Sequence, residues 1–215
     1  MVRMVGGVTL VGLAAGLVMA FGVAPREVTQ GNVQRIMYVH VPSVWVAYLA
    51  FAVVLVASIV YLARRVDGAD RLAHASAEVG VLFTGLTIAT GSIWGKPTWG
   101  TWWTWDARLT SVSILFVMYL GYLLLRGMIE DPDQGARYAA VLGIVAAFNI
   151  PLVHFSVYWW RTLHQPPSLM KPGPGTMPGV IVAALMVNFV AFSLLYVYFV
   201  AKRVNLLRRE AEAAA

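Results

Sequence analysis

Six continuous apolar stretches are the feature of this sequence that most restricts its fold. Each is close to the roughly 17–25 residues that an α-helix needs to cross about 30 Å of hydrocarbon. Strands of a membrane barrel would alternate polar and apolar residues over about ten positions instead. The pattern predicts an all-α integral membrane protein whose six transmembrane helices form one bundle. The predicted spans are Met4–Ala24, Pro42–Ala63, Glu78–Trp94, Leu109–Arg126, Arg137–Phe155 and Pro178–Ala201.

The composition excludes a soluble domain. Of the 215 residues, 60% are apolar and only 12% are charged, whereas soluble domains carry roughly 25% charged residues. We therefore expect residues 1–215 to form a single transmembrane domain. The first stretch, residues 4–24, is longer than the apolar core of a signal peptide, which favours a retained helix over a cleaved leader. The chain has no cysteine, so it forms no disulfide and performs no thiol chemistry.

The basic residues predict the orientation of the bundle. With six spans, ten Lys and Arg residues fall on the side of both termini, including the cluster Lys202–Arg209, and six fall on the other side, among them Lys171. The positive-inside rule then places both termini in the cytoplasm. The net charge of +6 is attributed to contacts with anionic lipid headgroups rather than to nucleic acid. The inner loops, Arg64–Ala77 and Gly127–Ala136, are predicted to be short charged turns.

All eight tryptophans fall at or near the predicted outer interface, although an ordinary aromatic belt occupies both interfaces. The densest part, residues 94–110, is called here the tryptophan-rich segment. If it is helical after Trp99, then Trp99, Trp102 and Trp103 share one face. Gly95 and Gly100 would leave room for a flat ligand. The segment is expected either to form a shelf for a planar macrocycle or only to seal the outer helix ends. Basic residues that could bind carboxylates of such a ligand are Lys96, Arg108 and Arg161.

The four histidines differ in their surroundings. His40, just before the second helix, and His164, in the outer segment Ser156–Met177, are candidates for the axial ligands of a heme iron, because neutral imidazole is the usual ligand. His74 is expected to be a lone solvated or interfacial residue of the inner loop, and His154 a polar residue hydrogen-bonded inside the bundle. Asp106 is expected to pair with Arg108.

No sequence pattern for an enzyme is present. The chain contains no H-E-x-x-H metal motif, no phosphate-binding G-x-x-x-x-G-K-[ST] loop and no arrangement of serine, histidine and acid typical of a hydrolase. We expect a binding or transfer protein, with any ATP hydrolysis carried out by a partner.

The tryptophan-rich segment resembles the WWD signature of heme-handling proteins in cytochrome c biogenesis. The residues that carry the resemblance are Trp99–Asp106 and Arg108–Thr110. Tyr38–Pro42 and Leu163–Gln165 extend it, and with the chain length they are similar to the cytochrome c maturation protein C (CcmC, heme exporter protein C) family.

The resemblance implies a function in the bacterial inner membrane. Relatives of this kind hold heme b at the periplasmic face, with loop histidines at the positions of His40 and His164 as axial ligands. They pass the heme to the periplasmic chaperone CcmE, and they work with the ABC subunits CcmA and CcmB and the small subunit CcmD. The resemblance implies a heme-supporting role for the tryptophan-rich segment. The candidate contacts are Trp99, Trp102, Trp103, Trp105, Asp106 and Arg108.

Two other functions stay open at this stage. The chain could be the membrane subunit of an ABC-type exporter of heme or another small molecule, which would require polar residues through the bundle. It could also be a structural subunit that docks a partner through exposed aromatic side chains.

Overall fold

Seven α-helices make up the computed structural model, which describes residues 2–166 and 177–214. A π-helical turn, Val18–Val23, extends the first helix, and a 3-10 turn, Val33–Ile36, precedes the second. Six helical segments are long and apolar enough to cross a membrane, which confirms the predicted number of spans. The helices are α1 (Val2–Leu17), α2 (Met37–Arg64), α3 (Asp67–Trp99), α4 (Ala107–Met128), α5 (Pro132–Ala147), α6 (Asn149–Trp159) and α7 (Gly179–Ala214).

The helices form one antiparallel bundle with two different ends. Helix α2 packs against α3, α5 and α7, while α1 packs against α7, and α4 packs against α3, α5 and α6. The ends of α3 and α6 and the starts of α2, α4 and α7 meet at one end, called here the tryptophan end. The predicted outer segment Ser156–Met177 lies there in part; its residues 167–176, including Lys171, lie outside the described residues.

The first inner loop is much shorter than predicted. Helix α2 continues to Arg64 and α3 begins at Asp67, so the connection is two residues long rather than Arg64–Ala77. Arg65 adopts a left-handed conformation, with φ of 53°, and its backbone N–H caps α2. Acidic residues in the first turn then favour α3 through the helix dipole. The prediction that His74 lies in a loop is therefore wrong, because it lies in α3, with Nε2 3.2 Å from Glu78 Oε1.

The second inner loop is also mostly helical. Helix α5 begins at Pro132, and the carboxylate of Asp131 accepts hydrogen bonds from the backbone N–H groups of Asp133 and Gln134. Asp followed by Pro is a strong helix start, because the carboxylate satisfies free N–H groups and proline lacks one. The sequence Asp131–Gly135 was predicted to be a turn, and it starts a helix instead.

The fifth span is divided at Phe148. Helix α5 ends there and α6 begins at Asn149, whereas a single helix was predicted over Arg137–Phe155. Pro151 has no backbone N–H, which weakens the ladder of hydrogen bonds at this point. The side-chain amide of Asn149 donates to the carbonyl oxygen of Ser111 at 2.8 Å and fastens α6 to α4.

Aromatic rings fill the centre of the bundle. Phe51 and Tyr119 stack face to face, with centroids 3.6 Å apart and planes 6° apart, and Tyr122 packs beside them. All three side chains are almost fully buried. A Cβ on Gly80 would collide with the Phe51 ring, so glycine allows α3 to pack closely against α2 at this level.

Replacing Gly80 by alanine is expected to lower the free energy of unfolding by about 1–3 kcal/mol, because the locked Phe51 ring has no room to move. Titration of the purified protein with SDS, followed by circular dichroism, measures the change. Gly7→Ala is the matched control, since a Cβ at this α1 position meets nothing within 4 Å. Equal unfolding midpoints for the two variants would contradict the prediction.

Candidate functional site

His40 lies in the first turn of α2, not ahead of that helix as the sequence predicted. The 3-10 turn Val33–Ile36 leads directly into α2, so helical backbone begins before Pro42 rather than at it. The His40 ring is buried, and its centroid lies 5.7 Å from that of Trp94 in an edge-on arrangement. Gly91 permits this close approach, since a Cβ there would lie 3.0 Å from His40 Cε1.

The hydrogen bonds of Thr90 determine which nitrogen of His40 carries the proton. The Thr90 hydroxyl donates to the carbonyl oxygen of Leu86 at 2.7 Å. Its oxygen is then left to accept from His40 Nδ1, 3.0 Å away. The proton therefore lies on Nδ1 and Nε2 keeps its lone pair, as in a histidine prepared to bind a metal.

His164 has the same tautomer for a different reason. Its Nδ1 lies 2.8 Å from the carbonyl oxygen of Gln165, which can only accept a hydrogen bond, so Nδ1 is the donor. Burial and the nearby guanidinium of Arg108 lower the pKa of His164 to about 4. The ring is therefore neutral at pH 7, and Nε2 is free to bind a metal. The indole of Trp99 packs beside it, with centroids 6.1 Å apart.

Asp106 connects the start of α4 to the segment that carries His164. Its Oδ1 accepts from the backbone N–H of Leu109, which caps α4, and its Oδ2 accepts from the backbone N–H of Leu163, both at 2.9 Å. The expected pair with Arg108 is not among the ion pairs of the described residues. Asp106 is instead a brace between two parts of the chain that are far apart in sequence.

Arg108 links the start of α4 to α6. Its Nη1 donates to the carbonyl oxygen of Val153 on α6 at 3.4 Å. His40 packs against Trp94 and His164 against Trp99, and both indoles lie in the last two turns of α3.

The tryptophan-rich segment is not helical between Gly100 and Asp106, so the condition for a shared face is not met. Trp99 is the last residue of α3, and Gly100, with φ of 79°, ends that helix in a left-handed conformation. The chain is irregular from there to Asp106, so Trp99, Trp102 and Trp103 do not share a helical face.

The individual tryptophans of this segment have different surroundings. Trp102 and Trp105 are 56% and 74% exposed. Trp103 packs edge-on against Trp105, and its Nε1 is buried without a hydrogen-bond partner among the described residues. A buried N–H without an acceptor is costly, and it marks a position where a ligand oxygen would be favourable.

The two glycines of the segment do not both leave space for a ligand. A Cβ on Gly95 would lie 3.2 Å from the Trp99 ring and 3.3 Å from the carbonyl oxygen of Thr101, so the room beside Gly95 is already filled. Gly100 faces open space. Of the basic candidates, Lys96 donates to the carbonyl oxygen of Gly100 at 3.1 Å, and Arg161 is exposed.

Sequence reasoning missed the residues that hold the candidate ligands. Thr90 and Gly91 lie in the apolar face of a long helix, and their sequence pattern does not indicate that both contact His40. The spacing of Thr90 and Trp94, one helical turn apart, was the available hint that both face the same partner. Tyr48 and His154 form a further contact: their ring centroids are 6.4 Å apart, and His154 packs against rings instead of the predicted hydrogen-bond partner.

Comparison with known proteins identifies the family. The sequence model of the family described as heme exporter protein C matches residues 1–215. The chain is 45% identical over 203 residues to heme exporter protein C of Bradyrhizobium diazoefficiens, covering 94% of this chain and 77% of that protein. It is 40% identical over 206 residues to heme exporter protein C of Haemophilus influenzae, covering 95% and 84%. It is also 36% identical over 187 residues to a cytochrome c biosynthesis ccmC-like mitochondrial protein of Marchantia polymorpha, covering 87% and 79%. The chain therefore belongs to the heme exporter protein C family.

Proposed function

We propose that this chain binds heme b at the tryptophan end and presents it to the chaperone CcmE during cytochrome c maturation. The observation that carries the proposal is that His40 and His164, from different segments, pack against Trp94 and Trp99 at the same end of α3. Both carry the proton on Nδ1 and keep the Nε2 lone pair. Two neutral imidazoles are the ligand set of a six-coordinate, low-spin heme iron.

The surroundings of the two histidines suit the rest of a heme. Trp94 and Trp99 pack beside His40 and His164 and provide an aromatic wall for a planar ring. The guanidinium of Arg108 and Nε1 of Trp103, which has no partner among the described residues, would be donors for the propionates. The exposed indoles of Trp102 and Trp105 provide a surface for a protein partner, because aromatic side chains are enriched where partners dock.

The distribution of Lys and Arg residues supports the proposed orientation in the membrane. The positive-inside rule assigns the end opposite the tryptophan end to the cytoplasm, since most Lys and Arg residues lie there. The heme site then faces the periplasm, across a bacterial inner membrane. The chain acts by binding and transfer, with any ATP hydrolysis carried out by the ABC pair CcmA and CcmB, and with CcmD as a further partner.

The name of the relatives, heme exporter, raises a second candidate function, transport through the bundle. Such a route would have to pass the level of Phe51, Tyr119 and Tyr122, which are closely packed and buried. Presentation at one face needs no such passage. Measurement of heme flux across vesicles that contain the purified protein separates the two functions, since presentation predicts heme binding without flux.

The test is a comparison of visible spectra and heme transfer in nanodiscs. The unaltered protein is expected to show a low-spin heme spectrum and to load CcmE, and the double variant His40→Ala, His164→Ala to lose both. His74→Ala, at the opposite end, is the matched histidine control and should behave like the unaltered protein. A low-spin spectrum and normal transfer in the double variant would disprove the proposed axial ligands.

A further inference from the structure

One hydrogen bond connects the loop before α2 to the surroundings of His40. The indole Nε1 of Trp94 donates to the side-chain Oε1 of Gln30 at 2.8 Å. An indole N–H can only donate, so this contact also fixes which end of the Gln30 amide faces Trp94. Gln30 lies 64 residues before Trp94 in the chain. The proposed presentation of heme assigns Gln30 no role.

Three residues of α3 surround the imidazole of His40 and are called here the His40 socket. Thr90 accepts a hydrogen bond from Nδ1 at 3.0 Å. Gly91 lies beside the ring, where a Cβ would be only 3.0 Å from Cε1. Trp94, one helical turn after Thr90, stands edge-on to the imidazole, with centroids 5.7 Å apart and planes 77° apart. The bond to Thr90 fixes one atom of the imidazole, and the Trp94 ring limits its rotation about that atom.

The orientation of Trp94 within the socket depends on Gln30. The indole packs against an apolar cluster that includes Met37, Tyr38 and Ile181. Such contacts are non-directional, so they keep the ring in place without setting its rotation. The bond to Gln30 is the polar contact of the Trp94 side chain in the part of the chain that the structure describes. An indole N–H that loses its acceptor is driven to turn towards another one, because an unsatisfied polar group is costly.

Gln30 is itself presented from a closed turn. The backbone N–H groups of Thr29 and Gln30 both donate to Oε2 of Glu27. The backbones of Glu27 and Gly31 pair in a short antiparallel bridge. Gly31 has φ of 59°, a left-handed conformation that glycine adopts without strain. These contacts fix the backbone of Gln30, which a side chain needs if it is to hold another group in one place.

We propose that Gln30 is a positioning residue for heme: through Trp94, it holds the His40 imidazole in the orientation that binds the iron. This inference rests on the proposed function, because it names a residue that supports one of the two proposed axial ligands. Loss of a residue that orients a metal ligand typically weakens binding by about 10–100-fold. Gln30 acts through a packed ring rather than on the ligand itself, so we expect the lower end of that range.

Transfer of heme from the protein in nanodiscs to apomyoglobin tests the proposal. Gln30→Met keeps the length of the side chain and removes the acceptor. It should speed heme release about tenfold and give a mixed low-spin and high-spin spectrum. Gln30→Glu keeps an acceptor oxygen for the indole, so its release should stay within about twofold of the unaltered protein. Gln134→Met changes an exposed glutamine of α5 at the opposite end of the bundle, and this matched control should behave normally.

The effect of Gln30 must depend on His40. In the His40→Ala background, Gln30→Met should not speed release any further, because the two changes act on the same contact. Equal acceleration with and without His40 would overturn the proposal. Normal release in Gln30→Met, or a Gln30→Glu protein that releases heme as fast as Gln30→Met, would overturn it too.

A second measurement needs no heme. Heteronuclear NMR of the tryptophan indole N–H groups identifies Trp94 as the signal that is missing in Trp94→Phe. Its exchange with deuterium should be about tenfold faster in Gln30→Met and unchanged in Gln134→Met, since exchange reports the opening of a hydrogen bond. Unchanged exchange in Gln30→Met overturns the proposal. Faster exchange together with a low-spin spectrum in His40→Ala refutes the proposed function, whereas faster exchange with normal heme release in Gln30→Met refutes only the positioning role.

Discussion

Replacing Asp106 by alanine is expected to weaken heme binding by about 10–100-fold, the effect typical of losing a residue that orients a metal ligand. Asp106 Oδ2 holds the backbone N–H of Leu163, the residue before His164. Without that hydrogen bond the segment after α6 is no longer fixed to the start of α4, and His164 loses its position. Heme titration of the purified protein, followed by its visible spectrum, measures the affinity.

The control must separate this effect from the loss of a helix cap. Asp131 caps α5 at the opposite end of the bundle from the proposed heme site. Asp131→Ala should therefore cost the same stability, about 1 kcal/mol, and leave heme affinity unchanged. Asp106→Asn has a single side-chain oxygen for two N–H groups. Its heme affinity should therefore lie between that of the unaltered protein and that of Asp106→Ala. Unchanged affinity in Asp106→Ala would contradict the bracing role.

The ion pair between Asp70 and Arg126 is expected to give the largest stability effect of the described contacts. Both guanidinium nitrogens donate to the carboxylate, at 2.6 and 2.8 Å, and the side chains are only 18% and 15% exposed. Asp70→Ala would leave Arg126 charged and poorly hydrated, which typically costs about 3–5 kcal/mol. Titration with SDS, followed by circular dichroism, should detect this loss of unfolding free energy.

The exposed pair Arg208–Glu212 is the matched control for that experiment. Its atoms are 3.5 Å apart and its side chains are 59% and 65% exposed. Glu212→Ala should change the unfolding free energy by less than about 1 kcal/mol, since solvent screens exposed pairs. If Asp70→Ala lowered the free energy of unfolding no more than Glu212→Ala does, the ion pair between Asp70 and Arg126 would not stabilise the bundle as predicted.

The number and order of the membrane spans could be predicted from the sequence, because long apolar runs have few alternatives in a bilayer. The ends of the helices could not. Polar first turns such as Asp67–His74 carry helix-favouring charge but no apolar signal, so they were assigned to loops. Gly100 ends α3 because its backbone is left-handed. A single glycine among tryptophans is not enough to predict a helix end from the sequence.

The candidate ligands were predictable as residue types, while their supporting contacts were not. His40 and His164 stood out because they flank the tryptophan-rich segment and suit iron. Their tautomers depend on Thr90 and on the Gln165 carbonyl, which become neighbours only in the folded bundle. Asp106 was predicted to pair with Arg108 because the two are close in sequence. In the folded chain its carboxylate instead accepts a hydrogen bond from the backbone N–H of Leu163.

The aromatic packing at the centre of the bundle has a consequence for the energised membrane. Phe51, Tyr119 and Tyr122 are closely packed and buried in the part of the chain that the structure describes, and Tyr119 donates its hydroxyl to the carbonyl oxygen of Gly143 at 3.2 Å. Protons need a chain of water or titratable groups to cross, and ions need hydration. The proposed heme site could therefore open at one surface while the packed rings oppose proton and ion leakage across the bundle.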